Sequence, residues 1–294
     1  MNEEGNKLTF TGERFMPECQ REIWYEHWHR YAFALHLVEG KRVLDAACGE
    51  GYGSNLLAGK ASSVCGVDIS SQAIDHARSR YGGNNNVEFR IGDAAALDFP
   101  DKTFDVVVSF ETLEHLDAQE ALVAGFARVL TDEGILLISS PDKATYSDLA
   151  GFRNEFHVRE LYREELLALL KPHFRSVRLF GQKLLFQSVL WTEDSAPGSV
   201  LAQTATAEGA VSSGFDVAPM YFVAVCSNQL LPDALPSVSM FSDREESVYS
   251  HYNGEVRKNM SAGARIAELE AEVERLRSAS QNLTSSRWLR WLRR

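Results

Sequence analysis

The stretch that decides the fold reads Arg42-Val43-Leu44-Asp45-Ala46-Ala47-Cys48-Gly49-Glu50-Gly51-Tyr52-Gly53. Its apolar part, residues 43–48, has the length and composition of a buried strand. Glycines then occupy every second position, at 49, 51 and 53, and a helical pattern follows. A strand, a tight glycine turn and a helix allow a nucleotide to lie against bare backbone, because any Cβ in the turn would hold the ligand away. The stretch therefore predicts a nucleotide site at the end of this strand.

Two residues distinguish this turn from the fingerprint of a dinucleotide site. Ala47 stands where that fingerprint has its first glycine, and Asp45 stands at the end of the strand itself. A carboxylate at that place would repel a pyrophosphate, whereas it would attract a cationic ligand. The turn therefore favours a ligand that carries a positive charge.

A second apolar strand, residues 63–69, carries Asp68 at its tip, 19 residues after Gly49. A carboxylate at the tip of the second strand can accept hydrogen bonds from both ribose hydroxyls of a nucleoside. The alternative is that Asp68 only caps the helix predicted over residues 70–80. The neighbouring glycine turn favours the contact with a ligand.

Four motifs in this order resemble those of the class I S-adenosylmethionine-dependent methyltransferases. They lie at residues 43–53, 66–70, 92–94 and 104–116, and the resemblance extends over about residues 8–228. Ala47 is the departure, since the family usually has glycine there. The resemblance implies S-adenosylmethionine as the cofactor and S-adenosylhomocysteine as its product. It also implies an α/β, Rossmann-like fold with a seven-stranded, mostly parallel sheet and helices on both faces.

The resemblance also assigns the contacts with the cofactor. The expected cofactor-binding residues are Asp45, Ala47, Gly49 and Gly51 in the turn, Asp68 and Ile69 at the ribose, Asp93 and Ala94 at the adenine, and Phe110 against the cofactor. Asp93 would accept a hydrogen bond from the adenine amino group, and Ala94 would donate its backbone N–H. The alternative is that Asp93 only stabilises a turn.

Strand patterns alternate with helical patterns from residue 42 onward. Strands are predicted at 42–48, 63–69, 87–92, 104–110 and 134–140, and helices at 53–59, 71–81, 117–130 and 161–171. This alternation predicts a parallel sheet with right-handed crossovers. By resemblance, residues 177–180 and 220–226 close the sheet as an antiparallel hairpin. The ligand is expected at the carboxyl ends of the strands, where the strand order reverses.

Changes in composition divide the chain into segments. Residues 1–40 are predicted to form a lid, a loop followed by an aromatic helix, and the methyltransferase domain is expected over 41–228. Residues 187–219, rich in Ala, Thr, Gly and Ser, are predicted to be a flexible insertion, either a substrate flap or a plain loop. Residues 229–260 are predicted to be a linker. Residues 261–294 are predicted to form a coiled-coil helix with a basic amphipathic tail.

Charge and cysteine content exclude several classes of protein. A net charge of −11 argues against a nucleic-acid substrate, since phosphates favour a basic surface. The 4 cysteines include no pair with metal-ligand spacing, so no metal ligands are predicted and the cysteines indicate a reduced, cytoplasmic setting. The polar, acidic start does not resemble a signal peptide, and no apolar stretch reaches the roughly 18 residues of a membrane span.

Methyl transfer is an in-line displacement at a sulfonium carbon, so much of its rate comes from aligning donor and acceptor. An alcohol is a poor nucleophile, and a nearby base would help it. His115, after the fourth strand, is the candidate catalytic base because imidazole titrates in the physiological range. The alternative is that His115 only packs. His157, in the long loop of residues 141–159, is a second candidate base or a sugar contact, unless it only anchors the loop. A divalent ion is another way to activate a hydroxyl.

Further candidates for the acceptor side come from three segments. The predicted substrate-binding residues are Arg14, Tyr25, His29, Glu111 and Arg153. Residues 12–18 with 29–31, and residues 154–161 with 164–166, resemble methyltransferases found among polysaccharide and O-antigen biosynthesis genes. This resemblance implies a glycan or a lipid-linked glycan as acceptor. The rival interpretations are a methyltransferase acting on a quinone-like or other small molecule, and a non-catalytic scaffold that binds the cofactor in a glycan assembly complex.

The end of the chain carries two further patterns. Ile266, Leu269, Val273 and Leu276 recur at heptad spacing, which Ser280 and Leu283 continue. Residues 262–284 are therefore predicted to form a coiled coil with a second copy or with a glycosyltransferase, or else a single amphipathic helix docked on the domain. Residues 287–294 combine Trp and Leu with four arginines, which favours contact with a membrane surface over a docking tail. The protein is thus expected in the cytoplasm, peripheral to the inner membrane.

Overall fold

The computed structural model describes residues 22–190, 200–233 and 235–285. The helices are α1 (Glu22–Ala34), α2 (Tyr52–Ala58), α3 (Ser71–Tyr81), α4 (Gln119–Val129), α5 (Arg163–Leu170) and α6 (Ser247–Ser285). The strands are β1 (Arg42–Ala46), β2 (Ser63–Asp68), β3 (Val87–Ile91), β4 (Phe104–Ser109), β5 (Leu130–Pro141), β6 (Ser176–Gln182), β7 (Gln203–Ala205), β8 (Val211–Ser213) and β9 (Tyr221–Ser227). The chain divides into two compact units between Phe241 and Ser242.

A sheet of seven strands within the described residues has the order β3-β2-β1-β4-β5-β9-β6. Strands β1 to β5 pair in parallel, while β9 is antiparallel to both of its neighbours. The structure therefore confirms the predicted sheet, including the antiparallel hairpin that closes it. The strand order reverses between β1 and β4, where Asp45 pairs with Val108. The carboxyl ends of β1 and β4 thus lie side by side, at the place where open α/β sheets bind ligands.

Helices cover both faces of this sheet, as predicted. Successive residues of a strand point to opposite faces. Along β4, Val106 and Val108 face a core cluster that includes Ile74 of α3, whereas Val107 faces a second cluster that includes Phe126 of α4. All of these side chains are buried. The apolar run from Val106 to Val108 in β4 is explained by this burial on both faces.

Two elements differ from their predicted bounds. Strand β5 begins at Leu130 rather than at residue 134, because Leu130 follows α4 directly, is buried and pairs with Phe104. The predicted insertion, residues 187–219, contains a short antiparallel hairpin in which Gln203 pairs with Ser213. Residues 191–199 of that insertion lie outside the described residues.

The predicted linker, residues 229–260, contains structured parts. Its first part packs on the domain, since Leu235 is buried in the core and the Phe241 ring lies 5.5 Å from the Trp24 ring. Its last part is helical, because α6 already begins at Ser247. The backbone N–H of Ser247 donates to the carboxylate of Asp243 at 3.0 Å, which satisfies a donor at the start of the helix.

Helix α6 extends over 39 residues. Its surface carries ion pairs three residues apart, such as Arg265 with Glu268 and Arg275 with Glu272. Among the described residues, no helix is long and apolar enough to cross a membrane. The predicted basic tail, residues 287–294, lies outside the described residues, as does the loop that contains Arg14.

Candidate functional site

The glycine turn after β1 is built from left-handed backbone. Ala47, Gly49 and Gly51 have φ angles of 62°, 57° and 90°. A Cβ at Gly51 would lie 2.7 Å from Cε1 of Phe89 in β3 and 2.8 Å from Cβ of Ala77 in α3. The turn can therefore pack this closely against β3 and α3 only because residue 51 has no Cβ. Ala47 adopts a conformation that costs a residue with a Cβ roughly 1–2 kcal/mol. This cost explains why the resembling family usually has glycine at this position.

Asp45 lies beneath this turn, fully buried. Ser54 Oγ donates a hydrogen bond of 2.6 Å to its Oδ2, and the hydroxyl of Tyr31 donates one of 3.1 Å to its Oδ1. Burial raises the pKa of Asp45 to about 6, although the two hydrogen bonds act in the opposite direction. Asp45 therefore links the strand before the turn to α2, through Ser54, and to α1, through Tyr31. Its predicted direct contact with the cofactor stays a prediction.

Tyr31 is the residue of this site whose role the sequence did not reveal. Its ring contacts the rings of Tyr52 and Phe110 edge-on, at 5.2 and 5.1 Å. Its hydroxyl, however, binds Asp45, and its ring occupies the space beside Gly53, where a Cβ would lie 2.0 Å from Cζ. Gly53, the third glycine of the turn, is therefore required for Tyr31 of α1 to pack here, because a Cβ would overlap the ring. The signal in the sequence was a tyrosine within an aromatic helix, because the hydroxyl of a tyrosine that becomes buried needs a hydrogen-bond partner.

Asp68 connects the turn with the next helix. Its Oδ2 accepts a 2.9 Å hydrogen bond from the N–H of Gly49, and its Oδ1 accepts one of 2.8 Å from the N–H of Ser70. Ser70, and not Asp68, is the N-cap of α3, since its Oγ accepts from the N–H of Ala73. Asp68 therefore stands at the tip of β2 beside the glycine turn. The neighbouring Ile69 is 74% exposed there.

Asp93 and Ala94 follow β3 at the same end of the sheet. The Asp93 carboxylate accepts from the N–H of Ala95 at 2.8 Å and so caps a short 3-10 helix, Ala94–Ala96. Asp93 thus stabilises a turn, as the alternative interpretation held, while its carboxylate remains exposed. Ala94 is buried. Their contacts with adenine stay predictions.

The side chains of His115 and His157 lie close together in the fold. His115 contacts the loop at the carbonyl oxygen of Phe156, which is 41 residues later in the chain. Their ring centroids are 5.1 Å apart. His115 Nδ1 lies 3.0 Å from the carbonyl oxygen of Phe156, which can only accept, so Nδ1 carries the proton. By the same argument His157 Nδ1 donates to Glu160 Oε1 at 2.6 Å. His157 Nε2 then accepts from the side-chain amide of Asn154 at 3.0 Å.

Glu114 completes this cluster. Its residue is 1% exposed, and its Oε2 has no hydrogen-bond partner among the described residues. Its Oε1 lies 4.0 Å from His115 Nε2. Burial, and then the charge of Glu111, raise the pKa of Glu114 well above its ordinary value. Glu114, His115 and His157 each offer one ligand atom, and these atoms lie within 4.8 Å of one another, which the sequence did not predict because it contains no metal-ligand spacing here.

A series of polar contacts, here called the polar wall, joins Arg30 of α1 to Gln182, Tyr221, Glu111 and Ser139. Arg30 is 2% exposed, donates from Nε to Gln182 Oε1 at 2.7 Å, and has its guanidinium 4.5 Å from the centroid of the Tyr221 ring. Its Nη1 lies 3.5 Å from Glu111 Oε1, which also accepts a 2.7 Å hydrogen bond from Ser139. Glu111 has a φ of 51°, so the chain turns sharply where β4 ends.

The remaining predicted acceptor residues lie elsewhere or outside the described residues. The rings of Tyr25 and His29 contact Phe241, and His29 Nε2 is 2.9 Å from Ser239 Oγ. Arg153 is exposed in the loop before His157. Phe110 is buried against Tyr31. Their roles toward cofactor and acceptor stay predictions.

Comparisons with known proteins agree with this geometry. Residues 44–138 match the family described as a methyltransferase domain. A protein of Mycolicibacterium smegmatis, named as an S-adenosylmethionine-dependent methyltransferase, is 40% identical over 167 residues, which are 56% of this chain and 64% of that protein. One of Mycobacterium tuberculosis with the same description is 40% identical over 166 residues, 55% of this chain and 60% of that protein. This chain therefore spans less than two thirds of the length of these relatives.

A solved structure shows the same fold. The YcgJ protein of Bacillus subtilis aligns with 69% of this chain and 100% of its own, with a TM-score of 0.50 and 19% sequence identity. This similarity, together with the family match, confirms the Rossmann-like methyltransferase fold. The sequence matches support S-adenosylmethionine as the cofactor. The residues fit that cofactor, since the turn presents bare left-handed backbone at the switch point and Asp68 stands at the tip of β2.

Proposed function

We propose that the class I S-adenosylmethionine-dependent methyltransferase domain of this chain transfers the methyl group of its cofactor to a sugar hydroxyl. The acceptor would be a surface polysaccharide of the O-antigen kind or its lipid-linked precursor. The observation that carries this proposal is the cluster of His115, His157 and Glu114 after the carboxyl end of β4. This is the strand that neighbours β1, whose end carries the cofactor turn.

The chemistry requires removal of one proton. The cofactor supplies an electrophilic methyl group on a sulfonium sulfur. The glycine turn and Asp68 would hold the cofactor while this methyl group passes to the hydroxyl oxygen, and the electron pair of the broken sulfur–carbon bond would remain on the sulfur. The hydroxyl proton must leave. Because Nδ1 of His115 donates to the Phe156 carbonyl, the lone pair of the ring lies at Nε2, which can accept that proton.

The surroundings of the cluster support a polar acceptor. The Tyr146 ring stacks on His157 at 5.2 Å and lies 5.8 Å from the Tyr221 ring, which in turn faces Arg30. Hydroxyl, carboxylate and guanidinium groups therefore follow one another from His157 toward Arg30 and Glu111. Where such groups reach the acceptor, they can exchange hydrogen bonds with a polyhydroxylated ligand. A quinone-like acceptor would favour an apolar pocket. The segments that resemble polysaccharide methyltransferases add independent support.

Cofactor binding is tested by calorimetry with S-adenosylhomocysteine. We expect tight binding to the wild type and strong loss in Asp68→Ala, which removes the carboxylate that faces the turn. Asp75→Ala is the matched control, since Asp75 is an exposed aspartate on the following helix. Absence of binding to the wild type would contradict the enzymatic interpretation altogether.

Acceptor chemistry is tested with labelled S-adenosylmethionine and purified glycans. We expect His115→Asn to lower kcat by about 10²–10⁴-fold, the usual contribution of a general base, while S-adenosylhomocysteine binding is retained. His173→Asn, a histidine beyond α5, serves as control. Methylation of a quinone but of no glycan would overturn the proposed acceptor.

The basic tail, residues 287–294, supplies a further proposal through its composition alone. We expect the full chain to sediment with vesicles that contain anionic lipid and to release them as salt is raised, because arginines meet the headgroups while Trp and Leu enter the boundary. Replacement of the four arginines by glutamine should abolish sedimentation. Equal binding of both variants would contradict membrane attachment through this tail.

A further inference from the structure

We propose that Glu114, His115 and His157 form a binding site for a divalent first-row transition-metal ion. Their ligand atoms lie within 4.8 Å of one another. Ligand distances of about 2.1 Å from such an ion place ligand atoms roughly 3–4 Å apart, so a shift of about 1 Å completes the site. Two imidazole nitrogens with one carboxylate suit Mn²⁺, Fe²⁺, Co²⁺ or Zn²⁺ better than Ca²⁺ or Mg²⁺.

The buried carboxylate is the first argument for a ligand. Glu114 is 1% exposed, and its Oε2 accepts no hydrogen bond within the described residues. Buried polar atoms are nearly always paired, and an exception calls for an explanation such as a bound ion. The backbone holds Glu114 in place, because its carbonyl oxygen accepts from the N–H groups of Val158 and Arg159 at 2.8 and 3.0 Å. The carboxylate is thus fixed beside the loop that carries His157.

The orientation of the two histidines is the second argument. A metal-bound histidine usually donates its other N–H to a carboxylate or a carbonyl oxygen. His157 does so toward Glu160, and His115 toward the Phe156 carbonyl, which leaves Nε2 as the ligand atom in both rings. Ser147 holds the Glu160 carboxylate from its other side at 2.5 Å. On ion binding, the Asn154 amide would give up its hydrogen bond to His157 Nε2.

This inference deepens the proposed function and rests on it for its chemical role. Three protein ligands leave coordination positions open. An acceptor hydroxyl in one of them would lose its proton more readily, as a metal-bound water does. In the metal-free protein Nε2 of His115 would take the proton itself. In the metal-loaded protein Nε2 would be a ligand, and the proton of the hydroxyl would pass to solvent water.

The test is direct binding of Mn²⁺ to the full chain after treatment with a chelator. Calorimetry and electron paramagnetic resonance should show one ion for each chain of the wild type. Glu160→Gln, which removes the negative charge of the group that accepts from His157 Nδ1, should weaken the affinity about 10–100-fold, and Glu114→Gln at least as much. Glu120→Gln is the matched control, since Glu120 is an exposed glutamate on α4.

Binding of S-adenosylhomocysteine to every variant shows that the fold is intact and separates the two proposals. A wild type that binds S-adenosylhomocysteine but no Mn²⁺ overturns the metal site and leaves the proposed methyl transfer standing. The metal site is also overturned if Glu114→Gln and His157→Asn bind Mn²⁺ as tightly as the wild type. If the wild type binds Mn²⁺ but transfers no methyl group to any glycan, the proposed function is contradicted instead.

A second, independent inference concerns α6. We infer that residues 265–283 form a parallel, two-stranded coiled coil with a second copy of this chain. The heptad seam has Ile266 and Val273 at its a positions and leucines at its d positions, 269, 276 and 283. These five side chains are 45–65% exposed. β-Branched residues at a with leucine at d favour two parallel strands over higher oligomers.

Charges beside the seam select the second copy as the partner. In a parallel pair, each g residue faces the e residue five positions later in the other helix. Arg265 would face Glu270 of the second copy, and Glu272 would face Arg277, so both pairs join opposite charges. In the single chain Arg265 and Arg277 contact Glu268 and Glu274 instead. Such exposed pairs contribute little to stability and exchange readily.

The test uses light scattering together with two cysteine variants of the full chain. We expect a dimer, and we expect Ser280→Cys, at an a position, to form an interchain disulfide under mild oxidation. Ser278→Cys, at the outward f position, should not. Equal cross-linking of both variants, or a monomer at micromolar concentration, would overturn the parallel dimer. A trimer would overturn its two-stranded form.

Discussion

Asp45→Asn should change the pH dependence of stability in a direction that the burial of Asp45 fixes. Burial raises the pKa of Asp45 from 3.8 to about 6. A raised carboxyl pKa means that the folded state holds the proton more tightly than the unfolded state. The corresponding stabilisation is present below pH 3.8 and is lost as the pH rises through about 6. The difference between the two pKa values corresponds to about 3 kcal/mol.

Asparagine remains neutral at every pH and has nearly the same shape. One hydroxyl, of Ser54 or Tyr31, can still donate to the amide oxygen of asparagine, and the other can rotate to accept from its N–H. The cost of this rearrangement does not depend on pH, since the amide does not titrate. We therefore expect the free energy of unfolding of Asp45→Asn, relative to the wild type, to increase by up to about 3 kcal/mol between pH 4 and pH 7. Urea denaturation at intervals of pH measures this difference.

The control variant is Asp105→Asn, because the pKa of Asp105 is shifted in the opposite direction to that of Asp45. Hydrogen bonds from Arg42 lower the pKa of Asp105, so its stabilising contribution is present above the ordinary pKa and is lost as the pH falls. Asp105→Asn should therefore lose stability relative to the wild type near neutral pH, and this deficit should shrink only in acid. A constant difference between Asp45→Asn and the wild type across pH 4–7 would refute the argument from burial.

Two further perturbations probe the packing around the turn and the polar wall. Gly53→Ala should destabilise by about 1–3 kcal/mol, because its Cβ would lie 2.0 Å from the Tyr31 ring, whereas Gly125→Ala, with nothing within 4 Å, should stabilise α4 by about 0.5–1 kcal/mol; equal effects in urea denaturation would contradict the predicted clash. Arg30→Met should lower the free energy of unfolding by about 3–5 kcal/mol, because the mostly buried Glu111 carboxylate loses its cation. Arg42→Met, which breaks the exposed pair with Asp105, should cost about 0–1 kcal/mol. A similar loss of stability in both variants would show that burial of the pair does not matter here.

The fold was predictable from local patterns. The strands of the sheet are apolar runs, the glycines and Asp68 follow them at fixed places, and the alternation with helices determines a parallel sheet. These features are short-range, since periodicity and turn chemistry depend on neighbouring residues. What local patterns did not predict depends on long-range contacts, as in residues 229–260. There Phe241 packs on Trp24, more than two hundred positions earlier in the chain.

The sequence by itself determined the sheet, the cofactor turn and the heptad seam, because each is written in residues close together in the chain. It pointed to His115 and His157 separately and gave no reason to join them. Only the tertiary structure placed both rings beside the buried Glu114 and fixed their tautomers through Phe156 and Glu160. It alone also joined Tyr31 to Asp45. Such contacts depend on how strand ends and loops meet in space, and no spacing along the chain encodes that meeting.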